Sequence, residues 1–394
     1  MTDCKAVVKL KPREGRRIRA GHLWIFSNEI EAIEGDVEPG DAVRVVDARG
    51  RTLGSGYANP HSLIAVRLLS RSAEDLSREL FARRIDGARS YRERLWPGEK
   101  TYRAVSGEAD LLPGLVVDRY DDVLAVQSLT AGIEVRLATI LDILEEMFSP
   151  RAIVLRNDSA MREREGLDRG RSVARGTLAG PVEIEQNGHA LLVDVLDGQK
   201  TGFFLDQREN RAATAPLARD RDVLDGCCYT GAWSVAAAAA GATSVTAIDA
   251  SGAALALAAK NVERNGFADR VTFVEGDIFG ELASIARSGR RFGFVILDPP
   301  AFARSRKRIR EALKAYRAVN RLAMALTARG GHLVTCTCSH LVEREAFTHA
   351  LVGAAKEAGR AVRVLEVRGQ SRDHPVILGL PETDYLTCAV LEMI

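Results

Sequence analysis

Val223-Leu224-Asp225-Gly226-Cys227-Cys228-Tyr229-Thr230-Gly231 carries an apolar run directly into a tight turn and then toward a helical segment. The same unit repeats downstream. Apolar runs at 222–224, 245–248, 271–274, 294–297 and 333–336 are each followed by a segment with helical character. Strands that alternate with helices imply a parallel sheet whose ligands gather at the strand carboxyl ends. Runs at 362–367 and 385–391 close the chain without a helix between them. They read as an antiparallel hairpin at the sheet edge, unlike an all-parallel dinucleotide fold. The expectation is an α/β, Rossmann-like sheet.

Upstream the pattern differs. A chain of 394 residues is long for one domain. Residues 1–72 hold short runs at 6–10, 43–46, 53–57 and 63–69, and Asp47-Ala48-Arg49-Gly50-Arg51 reads as a tight connection. Strands so short and so spaced suggest a small barrel. In 73–180, Leu76, Leu80, Phe81, Ile85, Ala88 and Leu95 recur at helical spacing over 74–95, and Pro97-Gly98 stops them. Strands at 115–117, 123–127 and 152–155 and a helix over 134–147 make this a small α+β linking unit. Residues 181–394 form the third unit, opening on a hairpin turned by Asn187-Gly188.

Composition bounds the function class. With 46% hydrophobic and 27% charged residues the chain can bury a full core. No apolar run approaches the roughly 18 residues of a membrane span. Met1-Thr2-Asp3-Cys4-Lys5 has no signal-peptide pattern, so a cytoplasmic location is expected. Six cysteines lie at 4, 227, 228, 336, 338 and 388 without a CxxC pair, which argues against a disulfide scaffold and a zinc ribbon. The net charge is +2, but Lys5, Lys9, Lys11, Arg13, Arg16, Arg17 and Arg19 crowd the start, and 304–310 is a second basic run. Such patches can track phosphates, although an Arg-rich surface alone would also scatter them.

Asp225 ends the first strand of the repeating region. The turn after it lacks the GxGxxG that lets a backbone approach a pyrophosphate. An acid and a tight turn suit a ligand bearing an ammonium and a carboxylate. Asp249 ends the second strand, where an acid accepts ribose hydroxyls. Asp277 follows the third strand, beside Ile278, where a carboxylate can accept from an adenine amino group and the apolar side chain can pack on the ring. Any one of these acids could be a surface residue. Three in succession resemble the class I methyltransferases, which implies S-adenosylmethionine as cofactor. The resemblance places Asp225, Gly226, Cys227, Tyr229, Gly231, Asp249, Ala250, Asp277, Ile278 and Asp298 around it. Gly226 stands where those enzymes more often carry an apolar residue, and Tyr229 where they often have glycine.

Asp298-Pro299-Pro300-Ala301-Phe302 ends the fourth strand. Two prolines stiffen the loop and can hold the acid beside a planar polar ring. The loop also resembles that of amino-methylating enzymes acting on adenine or guanine, except that Ala301 stands where they place an aromatic. Cys336-Thr337-Cys338-Ser339 ends the fifth strand. Carbon 5 of cytosine becomes nucleophilic only after a thiolate adds to carbon 6. Thr-Cys-Ser resembles the nucleophile motif of RNA cytosine-5 methyltransferases, and the match falls on Cys338. Cys336 points the same way but lies deeper, as a core residue would. A metal reading of Cys336, Cys338 and His340 finds no fourth ligand.

Gly21-His22-Leu23-Trp24-Ile25-Phe26-Ser27 resembles a PUA RNA-binding domain. With Asp118-Arg119-Tyr120, Gly202-Phe203-Phe204-Leu205-Asp206-Gln207-Arg208, Asp298-Pro299-Pro300 and Asp373-His374-Pro375, the chain resembles over its full length the RlmI family of bacterial 23S rRNA cytosine-5 methyltransferases. That resemblance implies ribosomal RNA as partner, Cys338 as nucleophile and Asp298 as its catalytic partner, with no metal and no membrane. A homodimer stays open. So do two other readings: an Asp-Pro-Pro guanine or adenine methyltransferase, and a silent RNA-binding adaptor.

Overall fold

The computed structural model describes residues 4–303 and 305–394; residues 1–3, where the signal-peptide reading begins, and Arg304, the first residue of the second basic run, lie outside the described residues. The chain divides into two compact units. The first comprises Met1–Val182, Val193–Leu205 and Arg372–Thr383, and the second Glu183–Leu192, Asp206–Ser371 and Asp384–Ile394.

In the first unit, β1 (Ala6–Leu10), the short helix α1 (Arg16–Arg19), β2 (Trp24–Phe26), β3 (Ile30–Glu34), β4 (Ala42–Val46), β5 (Thr52–Ala58) and β6 (Ile64–Ser70) come first. Their strands form a six-stranded sheet in the order β2-β6-β5-β4-β1-β3. Val8, Ile25, Val43, Val45, Val66 and Leu68 fill its own core. Next come α2 (Arg78–Leu95), β7 (Thr101–Ser106), β8 (Leu115–Tyr120), β9 (Val123–Ser128), α3 (Ala131–Glu134), α4 (Leu137–Phe148), β10 (Ala152–Asn157) and β11 (Gly170–Gly176). The helix expected over 134–147 is α4, which begins at Leu137, with the short α3 just before it. These strands make a second sheet, β11-β10-β9-β8-β7. The Ser77 side chain caps α2 by accepting from Leu80 N, and Leu80, Phe81, Ile85 and Ala88 form its buried stripe.

The two sheets are not independent modules. Ala42, Tyr57 and Leu69 of the first pack into the core that holds α2, α4 and the second sheet. The Tyr57 hydroxyl donates to Pro113 O and lies 2.9 Å from Thr130 Oγ1, all of it buried. Arg67 pairs with Glu165 at 2.9 Å, both nearly inaccessible, and Asn59 donates to the same carboxylate.

The hairpin β12 (Val182–Gln186) and β13 (His189–Val193) turns through Asn187 at φ 54 and Gly188 at φ 78. Two successive positive φ values define the type I′ turn that Asn-Gly favours. The second unit then runs α5 (Arg208–Thr214), β14 (Asp222–Gly226), α6 (Ala232–Ala239), β15 (Ser244–Asp249), α7 (Gly252–Arg264), β16 (Val271–Glu275), α8 (Ile278–Ser288), β17 (Phe292–Leu297), α9 (Ile309–Leu326), β18 (Thr327–Thr337), α10 (Arg344–Glu357), β19 (Val362–Arg368) and β20 (Thr387–Met393). Its sheet has the order β16-β15-β14-β17-β18-β20-β19. Strands β14 to β18 pair in parallel, whereas β20 pairs antiparallel with both β18 and β19. The closing pair is therefore not a tight hairpin: β20 inserts between β18 and β19, and residues 372–383 of the connection belong to the first unit. Chain order reverses between β14 and β17, which opens a crevice at their carboxyl ends. No helix among the described residues is long and apolar enough to cross a membrane.

The motif Asp118-Arg119-Tyr120 is structural. Asp118 accepts two 2.8 Å bonds from Arg103, and the Thr201 hydroxyl also donates to it. Tyr120 OH lies 3.0 Å from Thr201 Oγ1, and the Arg119 guanidinium lies over the Tyr102 and Phe148 rings. The Asp118 side chain is 1% exposed and that of Arg103 16%. Asp118→Ala strands a largely buried guanidinium and is expected to cost about 3–5 kcal/mol of stability in urea unfolding. A loss below about 1 kcal/mol would contradict the pair's importance.

Candidate active site

Four carboxylates converge at the carboxyl edge of the second unit's sheet. Asp225 ends β14, Asp249 ends β15, Asp277 precedes α8 and Asp298 follows β17. All four act electrostatically on the Cys227 thiol, which burial above all, and then these charges, push upward. Each carboxylate is tied down by a donor. Asp225 accepts from Ser234 Oγ at 2.6 Å. Asp249 accepts from the backbone N–H groups of Tyr229 at 2.8 Å and Ser251 at 2.9 Å. Asp277 caps α8 through Gly280 N at 3.0 Å. Asp298 accepts from Gln207 Nε2 at 3.1 and 3.0 Å and from Trp233 Nε1 at 3.2 Å.

The turn between β14 and α6 is strained. Cys227 and Tyr229 take left-handed φ values of 63 and 50, as Gly231 does at 78. A bulky residue pays for that conformation where glycine would not. It therefore makes sense that related sites favour glycine at the Tyr229 position; here the bond from Tyr229 N to Asp249 holds the turn. Gly226 has a separate reason. A Cβ there would sit 2.9 Å from Ile278 Cδ1 and 3.2 Å from Leu297 Cδ1, so glycine lets Ile278 close over the strand end. The sequence-derived residues Asp225, Gly226, Cys227, Tyr229, Gly231, Asp249, Asp277, Ile278 and Asp298 are thus brought to one sheet edge, and Ala250 lies exposed beside Asp249.

Asp225 is the least comfortable of the set. It is fully buried, and its Oδ1 has no hydrogen-bond partner among the described residues. Burial pushes its carboxyl up to about 7 against the Ser234 hydrogen bond, and Asp298 and Asp249 add to the rise. A buried acidic cluster with an unsatisfied oxygen fits a ligand carrying net positive charge. S-adenosylmethionine, with a sulfonium and an ammonium against one carboxylate, has that chemistry, so the donor set fits it.

Cys338 follows β18 directly and is half-buried. Its neighbours Thr337 and Ser339 are buried and both hydrogen-bond with the Tyr316 hydroxyl, at 2.8 and 2.9 Å. This pins the backbone on either side of the thiol, while extended geometry turns Cys338 to the opposite face. Cys336 is fully buried, stands opposite Cys388 in register, and is raised by that burial. Phe302, the aromatic of the Asp298 loop, packs on Tyr316 at 4.7 Å.

Sequence reasoning missed Gln207 and Trp233 as the partners of Asp298. The 202–208 run was noted as a motif, yet nothing local says which carboxylate Gln207 meets. The motif histidines both sit in the first unit. His22 Nδ1 accepts from Trp24 N at 3.0 Å, and burial lowers its basicity; His374 meets Asp373 at 2.9 Å. Several of the early cations are already paired: Lys5 with Asp41, Lys9 with Glu31, Arg17 with Glu29 and Arg19 with Asp47. Among the described residues no group of three or more His, Cys, Asp and Glu side chains is arranged to hold a metal.

The family pattern of PUA-like domains matches residues 8–71, and that of S-adenosylmethionine-dependent methyltransferases matches residues 159–370. The chain is 40% identical to the ribosomal RNA large subunit methyltransferase I of Shewanella denitrificans, over 96% of this chain and 97% of that protein. It is 39% identical to the protein of the same name from Pseudoalteromonas atlantica, over 98% and 99%. Its fold matches a candidate methyltransferase from Streptococcus mutans with a TM-score of 0.84 at 19% identity, over 98% and 100% of the chains. A second candidate methyltransferase, solved with SAH, gives 0.85 at 20% identity over the whole of both.

Asp225 also yields a prediction. Its folded-state value of about 7 lies above the ordinary 3.8, so the folded protein binds the extra proton between those limits. Stability without ligand should therefore fall as pH rises through that window, by on the order of 4 kcal/mol, and then level off. Asp225→Asn should flatten this part of the urea-unfolding profile. An unchanged slope in the variant would refute the assignment.

Proposed function

The chain belongs to the ribosomal RNA large subunit methyltransferase I family of S-adenosylmethionine-dependent methyltransferases, and from that premise we propose that it forms 5-methylcytosine in large-subunit ribosomal RNA through a covalent adduct of Cys338. The observation that carries this reading is the placement of Cys338. It is a half-buried thiol just past the end of β18, on a backbone pinned by Tyr316, three residues beyond Thr335, which pairs in parallel register with Leu297, the residue before Asp298.

In this reading Asp249 holds the ribose, Asp277 and Ile278 hold the adenine, and Asp225 and Asp298 face the cationic end. Gly226, Cys227, Tyr229, Gly231 and Ala250 line the remainder. Bound S-adenosylmethionine supplies an electrophilic methyl group. Cys338 adds as thiolate to carbon 6 of a cytosine turned out of its helix, which makes carbon 5 nucleophilic. Asp298 shares a proton with N3 of the ring, so that the charge of the addition is met by that proton and the carboxylate accepts from the ring. Loss of the carbon-5 proton after substitution then expels the thiolate.

The three-part division at residues 72 and 180 enters as a functional proposal: residues 1–72 for RNA contact, 73–180 as linking segment, 181–394 for chemistry. The PUA-like match over 8–71 and the exposed Arg13 and Arg16 support the first assignment. The shared core makes truncation at 72 a poor test of it, because removing Tyr57 and Arg67 opens the second sheet's interior. A ribosomal RNA substrate places the work in the cytoplasm.

The test is a trap. RNA with 5-fluorocytosine at the target has no proton to release at carbon 5, so the adduct cannot resolve. Wild type and Cys336→Ala should both give a denaturant-resistant protein–RNA band, and Cys338→Ala none, while still binding cofactor. A band that persists in Cys338→Ala and disappears in Cys336→Ala would move the nucleophile to Cys336. A band in none of the three would remove the covalent mechanism.

A further inference from the structure

Asp298 is held by a directional line of hydrogen bonds that begins near the edge of the sheet. Arg368, at the end of β19, donates from Nε to Asn210 Oδ1 at 3.0 Å. Asn210 donates from Nδ2 to Gln207 Oε1 at 2.7 Å and to Gly369 O at 3.1 Å. Gln207 donates from Nε2 to both oxygens of Asp298, and Trp233 Nε1 adds a third bond. Asn210 and Gln207 are 1% and 2% exposed.

The direction of this line is forced. Arginine and the tryptophan indole can only donate, so the oxygen of Asn210 must face Arg368 and its amide nitrogen must face inward. Gln207 then has to meet that nitrogen with its own oxygen, which leaves its NH₂ for Asp298. Flipping either amide would set acceptor against acceptor at two buried contacts. Asp298 is thereby met by donors, and donors favour the ionised carboxylate. The buried Arg211 acts on the same carboxylate with opposite charge.

An ionised carboxylate accepts and cannot donate. Cytosine offers it the exocyclic amino group at carbon 4, while uracil offers a carbonyl oxygen at the same place. The thiolate chemistry at carbons 5 and 6 does not itself separate the two bases. We propose that Gln207, aligned by Asn210 and Arg368, is a positioning residue that keeps Asp298 an acceptor and so makes the site select an amino-bearing pyrimidine over an oxo-bearing one. The proposal rests on the cytosine-5 reading above and adds to it what sets the choice of base.

The experiment uses the full-length chain with two RNA fragments that differ only in cytosine or uridine at the position wild type modifies. Gln207→Glu keeps the acceptor facing Asn210 but sets a carboxyl against Asp298, and two carboxyls so close share a proton. In wild type, kcat/KM for cytosine should exceed that for uridine by at least about 1,000-fold. In Gln207→Glu, kcat on cytosine should fall roughly 100-fold with KM for RNA and cofactor affinity little changed, and the base preference should fall at least about tenfold. Arg368→Leu, at the accessible end of the line, should shift the preference the same way by a smaller factor, which keeps the test open if Gln207→Glu fails to fold. Loss of rate in both variants with the base preference intact would overturn the proposal and leave Gln207 merely structural. Unchanged rate and preference would overturn it as well. Wild type that makes no 5-methylcytidine would instead sink the cytosine-5 reading, and this inference with it.

Discussion

Four carboxylates at one sheet edge repel one another, and the second unit is organised around containing that repulsion. Asp225, Asp249, Asp277 and Asp298 all bear on the same half-buried thiol, Cys227. Each is matched by a donor the fold supplies: a serine hydroxyl, two backbone N–H groups, a helix amino end, and a glutamine with a tryptophan. The left-handed turn at Cys227 and Tyr229 exists because it delivers Tyr229 N to Asp249. What the donors leave uncompensated, the buried Oδ1 of Asp225, is the feature that suits a cationic cofactor.

Much of this was legible in the sequence because it is sequential. Strand, turn and acid recur in order, so β14 to β18 and the acids at their ends could be read from spacing, as could the Asn187-Gly188 turn. What escaped was decided at long range. β11 contains a single valine and a single alanine among glycine, arginine and serine, and it is a strand because β10 pairs with it. β3 has four exposed residues and owes its conformation to β1. Gln207 and Trp233 lie 91 and 65 residues from Asp298, and neither distance leaves a local signature.

The motifs that supported the family resemblance divide by role. Asp298-Pro299-Pro300 and Cys338 lie at the carboxyl edge of the sheet. Asp118-Arg119-Tyr120 and Asp373-His374 instead hold the first unit together: Asp373 accepts from Arg103 N, its carbonyl accepts from the buried Arg92, and Asp118 pairs with Arg103. In this chain the motif residues thus include a buried ion pair as well as the carboxylate of the Asp298 loop. Strands on either side of residue 72 share one core.

The claim on which the account turns is that methylation occurs at carbon 5 of cytosine. Its most direct measurement is the identity of the product base. Large-subunit ribosomal RNA is incubated with the protein and methyl-labelled S-adenosylmethionine, digested to nucleosides and resolved by mass spectrometry. Methylation at carbon 5 of cytosine puts the label in 5-methylcytidine. Label on an amino or ring nitrogen of guanosine or adenosine would contradict it, and would return the Asp298 loop to the amino-methylating enzymes it also resembles.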